Sequence, residues 1–233
     1  MTEFQSKVDA ILAQLEAHEN RASLEHMRKY GIIAGNAYGA SIPAQRQIAR
    51  QYKNDHELAL ALWDLNIHET RIIASMIDDP RQVTEDQLEK WVKDFYSWDL
   101  CDQCCANLFE KTAFAYDKAA EWAQRTEEYV KRAGFVMMAR LAVSDKKGSD
   151  ENFETFFPLI KEHSTDNRNF VKKAVNWALR QIGKRSLYLN KRAVIVAEDI
   201  SHLESSCAHW IARDALRELK SEAVQERLRR IVR

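Results

Sequence analysis

Apolar residues recur along nearly the whole chain at spacings of three and four, the signature of helices that bury one face. Val8, Ile11, Leu12 and Leu15 form the first such stripe. In SIPAQRQIARQY (41–52), Ser41 is placed as a cap and Pro43 falls in the first turn, which predicts a helix start. Thr84 and Gln87 have the spacing of a capping box ahead of Leu88, Trp91, Val92 and Phe95. The same periodicity predicts helices near 67–78, 98–111, 113–124, 127–143, 153–162, 168–183, 187–199, 206–219 and 221–231. No stretch alternates convincingly with period two, so no strand is expected. GIIAGNAYGA (31–40) reads as a Gly-rich connector and DKKGSDEN (145–152) as a polar loop. Neither is long enough to separate two domains, so residues 1–233 are read as one domain.

The helices repeat weakly. VKRAGFVMMARLA (130–142) aligns with VKKAVNWALRQIG (171–183) at an offset of 41. The latter shares its Ala-Leu-Arg turn with ALREL (215–219) at an offset of 37. Those periods suit stacked two-helix repeats, each too small to bury its stripe alone. An all-α fold is therefore expected: a right-handed α-solenoid of HEAT-like helix pairs with a concave basic face. A non-repetitive helical bundle is the alternative.

Composition supports helices over sheets, because 6 Gly and 3 Pro are few for a turn-rich chain of 233 residues. No apolar run approaches the ~20 residues that span a bilayer. The amphipathic, acidic N-terminus does not resemble a secretion signal, so a cytoplasmic, non-membrane protein is expected. Cys101, Cys104 and Cys105 crowd one segment and Cys207 stands apart, which is no disulfide framework. No second Cys or His pair lies at ligand spacing, so no metal is expected, and with no Walker loop and no GxGxxG no organic cofactor is expected either.

A net charge of zero hides a polarised chain. Residues 1–120 hold 13 Lys or Arg against 19 Asp or Glu, and the remainder holds 22 against 16. Eight cations lie between Asp166 and Glu198 with no acid among them: Arg168, Lys172, Lys173, Arg180, Lys184, Arg185, Lys191 and Arg192. Such a run favours an anionic partner. At about 100° per residue, Val171, Ala174, Val175, Ala178, Leu179 and Ile182 share one arc of this helix, and Lys173, Trp177, Arg180 and Lys184 the opposite one. A Trp is ordinarily core. This one is out of phase with the core and sits among cations, which suits phosphates beside a base or sugar face. Packing on a neighbouring repeat is the alternative.

SWDLCDQCCANLF (97–109) is the other unusual segment. Ser97 is placed as a cap, Cys101, Cys104, Cys105 and Leu108 face the core, and Asp99 and Gln103 face solvent. Asp102 sits at the edge of the apolar arc, one turn after Trp98. A carboxylate there is either satisfied by a neighbouring repeat's Arg or kept for chemistry.

AYGASIPAQRQIAR (37–50), WDL (63–65) with Glu69, Arg71 and Ala74, SWDLCD (97–102), VKRA (130–133) and NFVKKAVNWALRQIGK (169–184) stand in the order of one family. Over roughly residues 20 to 220 the chain resembles the bacterial HEAT-like-repeat alkylpurine DNA glycosylases, the AlkD family. The resemblance implies a cleft lined by Trp98, Asp102, Arg132 and Trp177 as catalytic residues. Arg168, Lys172, Lys173, Arg180, Lys184 and Arg185 would hold double-stranded DNA carrying alkylated bases. A bacterial cytosolic protein, nucleoid-associated on binding, is expected, and a monomer, because the charge distribution along a solenoid offers no obvious self-complementary patch. The chemistry is compatible. A purine alkylated at N3 or N7 is already cationic and leaves readily. A carboxylate stabilises the oxocarbenium-like sugar and holds water. Trp faces attract both cations, and an Arg is able to clamp phosphate. A non-enzymatic DNA-binding HEAT module and a protein-interaction scaffold are the competing readings.

Overall fold

The computed structural model describes residues 3–231. Among them the chain is all-helical, with fifteen α-helices, two short 3-10 turns and no strand. Its contacts divide it into two compact units, Met1–Ala113 and Phe114–Arg233.

The first unit holds α1 (Glu3–Ala17), α2 (Arg21–Lys29), α3 (Ile42–Ala49), α4 (His56–Asp64), α5 (His68–Ile77), α6 (Glu85–Lys93) and α7 (Trp98–Asn107). Helices α3, α5 and α7 pack in sequence, and α4 packs on α5 and α1. The core is aromatic where α4 meets α6: Trp63 and Trp91 are fully buried and stack with centroids 3.9 Å apart. Arg71 lies 5.1 Å over the Trp63 ring and donates to Asp94, which also accepts the Trp63 indole N–H at 2.8 Å. A buried guanidinium survives here because an acid and an aromatic face both meet it. Glu69 is fully buried and accepts the Tyr38 and Gly39 amides at 3.0 and 2.7 Å. Gly39 has φ +76°, and a Cβ there would lie 2.3 Å from the Asn20 carbonyl oxygen. The Tyr-Gly and Glu-x-Arg segments are thus two ends of one structural tie.

The second unit holds α8 (Ala115–Ala123), α9 (Glu128–Ser144), α10 (Asp150–Glu154), α11 (Phe157–Glu162), α12 (Asn169–Gly183), α13 (Leu187–Ser201), α14 (Ser206–Leu219) and α15 (Glu222–Ile231). Here α9, α12 and α14 pack in sequence, while α8 covers α9 and α13 covers α12 and α14. The two segments aligned at an offset of 41 lie on α9 and α12, so the repeat is structural.

Four details differ from the expectation. The helix expected over 153–162 is broken into α10 and α11, with Pro158 in the first turn of α11, where no N–H is needed. The helix expected over 98–111 ends at Asn107 and closes with a 3-10 turn. Thr84 does cap α6, but the Gln87 amide turns away to Asp78 at 2.7 Å, so the box is half closed. Two helices escape the stripe pattern. No residue of α2 is buried, and α4 is apolar on most sides.

Candidate functional site

Ser97 occupies the N-cap position of α7 in extended conformation, but its hydroxyl accepts no helix N–H and instead donates to the Asp99 carboxylate at 2.6 Å. Asp99 is consequently not a solvent-facing residue, as its phase suggested. It is half-buried and accepts from His68 Nε2 at 2.9 Å, while His68 Nδ1 bonds the Tyr96 hydroxyl at 2.7 Å. Burial pushes the Asp99 carboxyl up, but the bonds from His68 and Ser97 outweigh it and hold the group below its ordinary range. The phase argument failed because α5 packs on this side of the first turn of α7. His68 is 2% exposed and carried no local signal, since its partners lie 28 and 31 residues away.

Cys101, Cys104, Cys105 and Leu108 are fully buried, as their phase requires. Burial drives the Cys104 and Cys105 thiols well up, so they stay protonated and act as small apolar side chains. Among the described residues no three His, Cys, Asp or Glu side chains converge as metal ligands. None of the helices described is long and apolar enough to cross a membrane.

Trp98 and Asp102 are half-buried, one turn apart on α7. The Trp98 indole N–H donates to the Tyr30 carbonyl at 2.9 Å, which sets the ring's orientation against the loop after α2. In the second unit, Arg132 on α9 is 6% exposed and its Nη1 donates to the Phe170 carbonyl at 2.6 Å, in the first turn of α12. Along α12, Val171, Ala174, Val175, Ala178, Leu179 and Ile182 are buried, and Trp177 is half-buried with exposed Lys173 one turn before it. The wheel therefore separates the core arc of this helix from the arc that carries Trp177.

The cationic run is less free than the sequence suggests, because acids distant in sequence fold back on it. Arg168 pairs with Asp166 at 2.6 Å and donates to the Thr126 carbonyl. Arg180 and Lys184 share Glu218, and Arg180 lies 3.6 Å from Asp214. Arg185 sits 4.2 Å over the Phe153 ring, donates to the Gly148 and Ala142 carbonyls and lies 3.9 Å from Asp150. Arg192 pairs with Glu154 at 2.6 Å. Lys172 lies 5.0 Å over the Trp210 ring. Lys173 and Lys191 are exposed, with no acidic partner among the described residues. α14 supplies two of the acids, Asp214 and Glu218, and both lie beyond the acid-free run between Asp166 and Glu198.

These pairs make a pH prediction. Burial raises the Asp99, Asp166 and Glu218 carboxyls, but their bonds to His68 and Ser97, to Arg168 and to Lys184 and Arg180 leave all three below their ordinary values. A depressed carboxyl contributes stability that is complete above its ordinary value and is lost as pH falls through the folded one. Asp78, raised by burial, opposes part of this. Thermal melts should decline slightly below about pH 6.5, where the unfolded chain protonates His163 while burial and Lys131 keep the folded one neutral, and fall more steeply below about pH 4. Glu218→Gln should flatten the fall, and an unchanged acid slope would reject Glu218 as a contributor.

A family model described as DNA alkylation repair enzyme matches residues 11–219. Two curated relatives are similar: the uncharacterized proteins Lin0241 of Listeria innocua and Lmo0209 of Listeria monocytogenes. Each is 23% identical over 220 residues, spanning 85% of this chain and 96% of the relative. A solved structure, described as a new family of proteins related to the HEAT-like repeat DNA glycosylases with affinity for branched DNA structures, is 22% identical. It covers 94% of this chain and 95% of its own, with a TM-score of 0.76. That likeness shows a shared all-helical, HEAT-like-repeat fold.

Proposed function

The chain belongs to the DNA alkylation repair enzyme family, and from that premise we propose that it is a monofunctional DNA glycosylase releasing N3- and N7-alkylated purines. The observation that carries the reading is the pair on α7: a half-buried carboxylate, Asp102, one turn after a half-buried indole, Trp98, whose N–H is already fixed. In this reading Asp102 stabilises the developing sugar cation and positions water. Trp98 and Trp177 face the cationic base and sugar. Arg132 holds a phosphate beside the lesion, and no metal or cofactor takes part. Residues 1–233 act as one domain, which is supported by a family match that runs through both compact units. Incubation with methylated duplex DNA, followed by chromatography of free 7-methylguanine and 3-methyladenine, tests the reading.

A second reading, a DNA-binding HEAT module without activity, is favoured by one observation: the solved relative is described by its affinity for branched DNA. DNA retention without base release would select it.

The basic stripe of α12 is assigned to phosphates under both readings. Lys173→Ala with Lys184→Ala should weaken binding to all DNA sequences alike. The slope of log K against log salt should drop by about one to two units. Lys173 carries most of the expected effect, since Lys184 shares Glu218 with Arg180. Unchanged affinity and slope would remove α12 from the interface.

A further inference from the structure

Where α9 and α12 end, the second unit forms a cavity of about 460 Å³, bounded also by the 145–149 loop, the start of α10 and α15. That volume exceeds what a bare ion fills and is within the range of roughly 300–1,000 Å³ typical of small-molecule sites. Four cations line it, Lys146, Lys184, Arg185 and Arg227, against one carboxylate, Asp150.

Two of the four are answered inside the protein. Arg185 lies over the Phe153 ring, donates to the Ala142 and Gly148 carbonyls and stands 3.9 Å from Asp150. Its side chain is 10% exposed, so the guanidinium is a fixed part of the wall. Asp150 is engaged a second time, because it accepts the Ser186 hydroxyl. Lys184 pairs with Glu218. Arg185 and Lys184 also stand at the negative ends of α9 and α12, which carry about half a charge each. Lys146 and Arg227 are not answered. Both are exposed and have no acidic partner among the described residues. One sits on the loop after α9 and the other on α15, and the fold brings both to one cavity.

The electrostatics therefore select an anion. Two unanswered cations match a phosphate monoester, which carries about 1.5–2 negative charges near pH 7. A guanidinium meets phosphate with a fork of donors and an ammonium meets it as a point charge. The rest of the wall suits an organic body. Val143 is apolar and 39% exposed beside the cations. The Gln181 amide offers a donor and an acceptor, with no side-chain partner among the described residues. Lys184 belongs both to this wall and to the basic stripe of α12, so the cavity adjoins the surface assigned to DNA.

We propose that this cavity binds a nucleotide through its phosphate, with Lys146 and Arg227 on the phosphate and Val143 and Gln181 against the nucleoside. The nucleotide is either free in solution or part of bound DNA, and the phosphate chemistry is common to both. The site does not rest on the glycosylase reading, because neither Lys146 nor Arg227 takes part in base release.

Isothermal titration of the full-length protein with dGMP and with deoxyguanosine tests this. dGMP should bind at one site. Deoxyguanosine, which lacks only the phosphate, should bind at least about tenfold more weakly. Lys146→Ala with Arg227→Ala should weaken dGMP about tenfold or more. Melting should stay unchanged, because both residues are exposed and neither side chain bonds another described residue. Lys191→Ala removes an exposed cation of α13 outside the cavity and should leave dGMP binding as it was. Salt titration of an unmethylated duplex separates the two sources. If the phosphate belongs to DNA, the double variant lowers the slope of log K against log salt by about one to two units, and dGMP competes with the duplex. If it belongs to a free nucleotide, duplex affinity and slope stay at wild-type values while the double variant loses dGMP. Deoxyguanosine bound as well as dGMP, an equal loss in Lys191→Ala, or a double variant that changes neither dGMP binding nor the duplex slope would each overturn the proposal.

Discussion

Asp102→Asn should lose about 10²–10³-fold in the rate of base release, equivalent to roughly 2.7–4 kcal/mol of transition-state stabilisation. The substrate base already carries its positive charge, so departure needs little help from a general acid. What the enzyme must supply is negative charge where the sugar becomes oxocarbenium-like. Asparagine preserves the shape and the hydrogen-bonding reach of aspartate but removes that charge. DNA affinity should stay the same or rise slightly, because a carboxylate repels phosphates and contributes nothing to holding them. Two controls separate chemistry from architecture. Helix content and melting temperature should match the wild type, and binding to methylated duplex should persist. If the variant unfolds or loses DNA together with activity, Asp102 is part of the repeat's internal bonding and the catalytic assignment fails.

Gly134→Ala should cost more stability than any conservative surface change in the second unit. Alanine is the better helix former by about 1 kcal/mol, so propensity alone predicts stabilisation. Packing decides otherwise. A Cβ at Gly134 would lie 2.3 Å from the Ala123 nitrogen, 2.8 Å from its Cα and 2.9 Å from the Ala119 carbonyl oxygen. All three are backbone atoms of α8, and no rotamer change moves them. Helices α8 and α9 must separate, opening a core that includes the fully buried Trp122 and Phe135. Overpacking of this kind costs about 3 kcal/mol or more, which for a chain of this length lowers the melting temperature by roughly 6–12 °C. Differential scanning calorimetry reads it. A variant that melts at or above the wild-type temperature would show that α8 and α9 adjust freely, and the close approach would carry no weight.

The hydrophobic stripes made most of the helices legible, because a helix that buries one face must repeat at 3.6 residues. α9, α12 and α14 lie almost where their stripes end. The exceptions are physical too. α2 buries nothing fully and so writes no stripe, and α4 runs apolar without a break from Leu58 to Trp63, so its one buried face is not set off by polar neighbours. The wheel of α12 separated core from surface because a single helix phase is local information. Partnership is not local. The α9–α12 alignment paired Gly134 with Val175, and nothing in it signals that α8 crosses tightly at one and not at the other. The cations of α12 looked unopposed because Asp214 and Glu218 sit a repeat later, where offsets of 34 and 38 residues bring them back to Arg180. The His68–Asp99 bond, 31 residues long in sequence, was invisible for the same reason. In a repeat protein, side chains one repeat apart are neighbours, and the charge of a short window omits half of each pair.

The most direct test of the glycosylase reading is a single-turnover incubation of the wild-type protein with a duplex carrying one 7-methylguanine. The account predicts free 7-methylguanine in solution and an abasic strand that stays intact until alkali cleaves it. A duplex that is bound but retains its methylated base throughout would contradict the account and leave a DNA-binding protein without this activity.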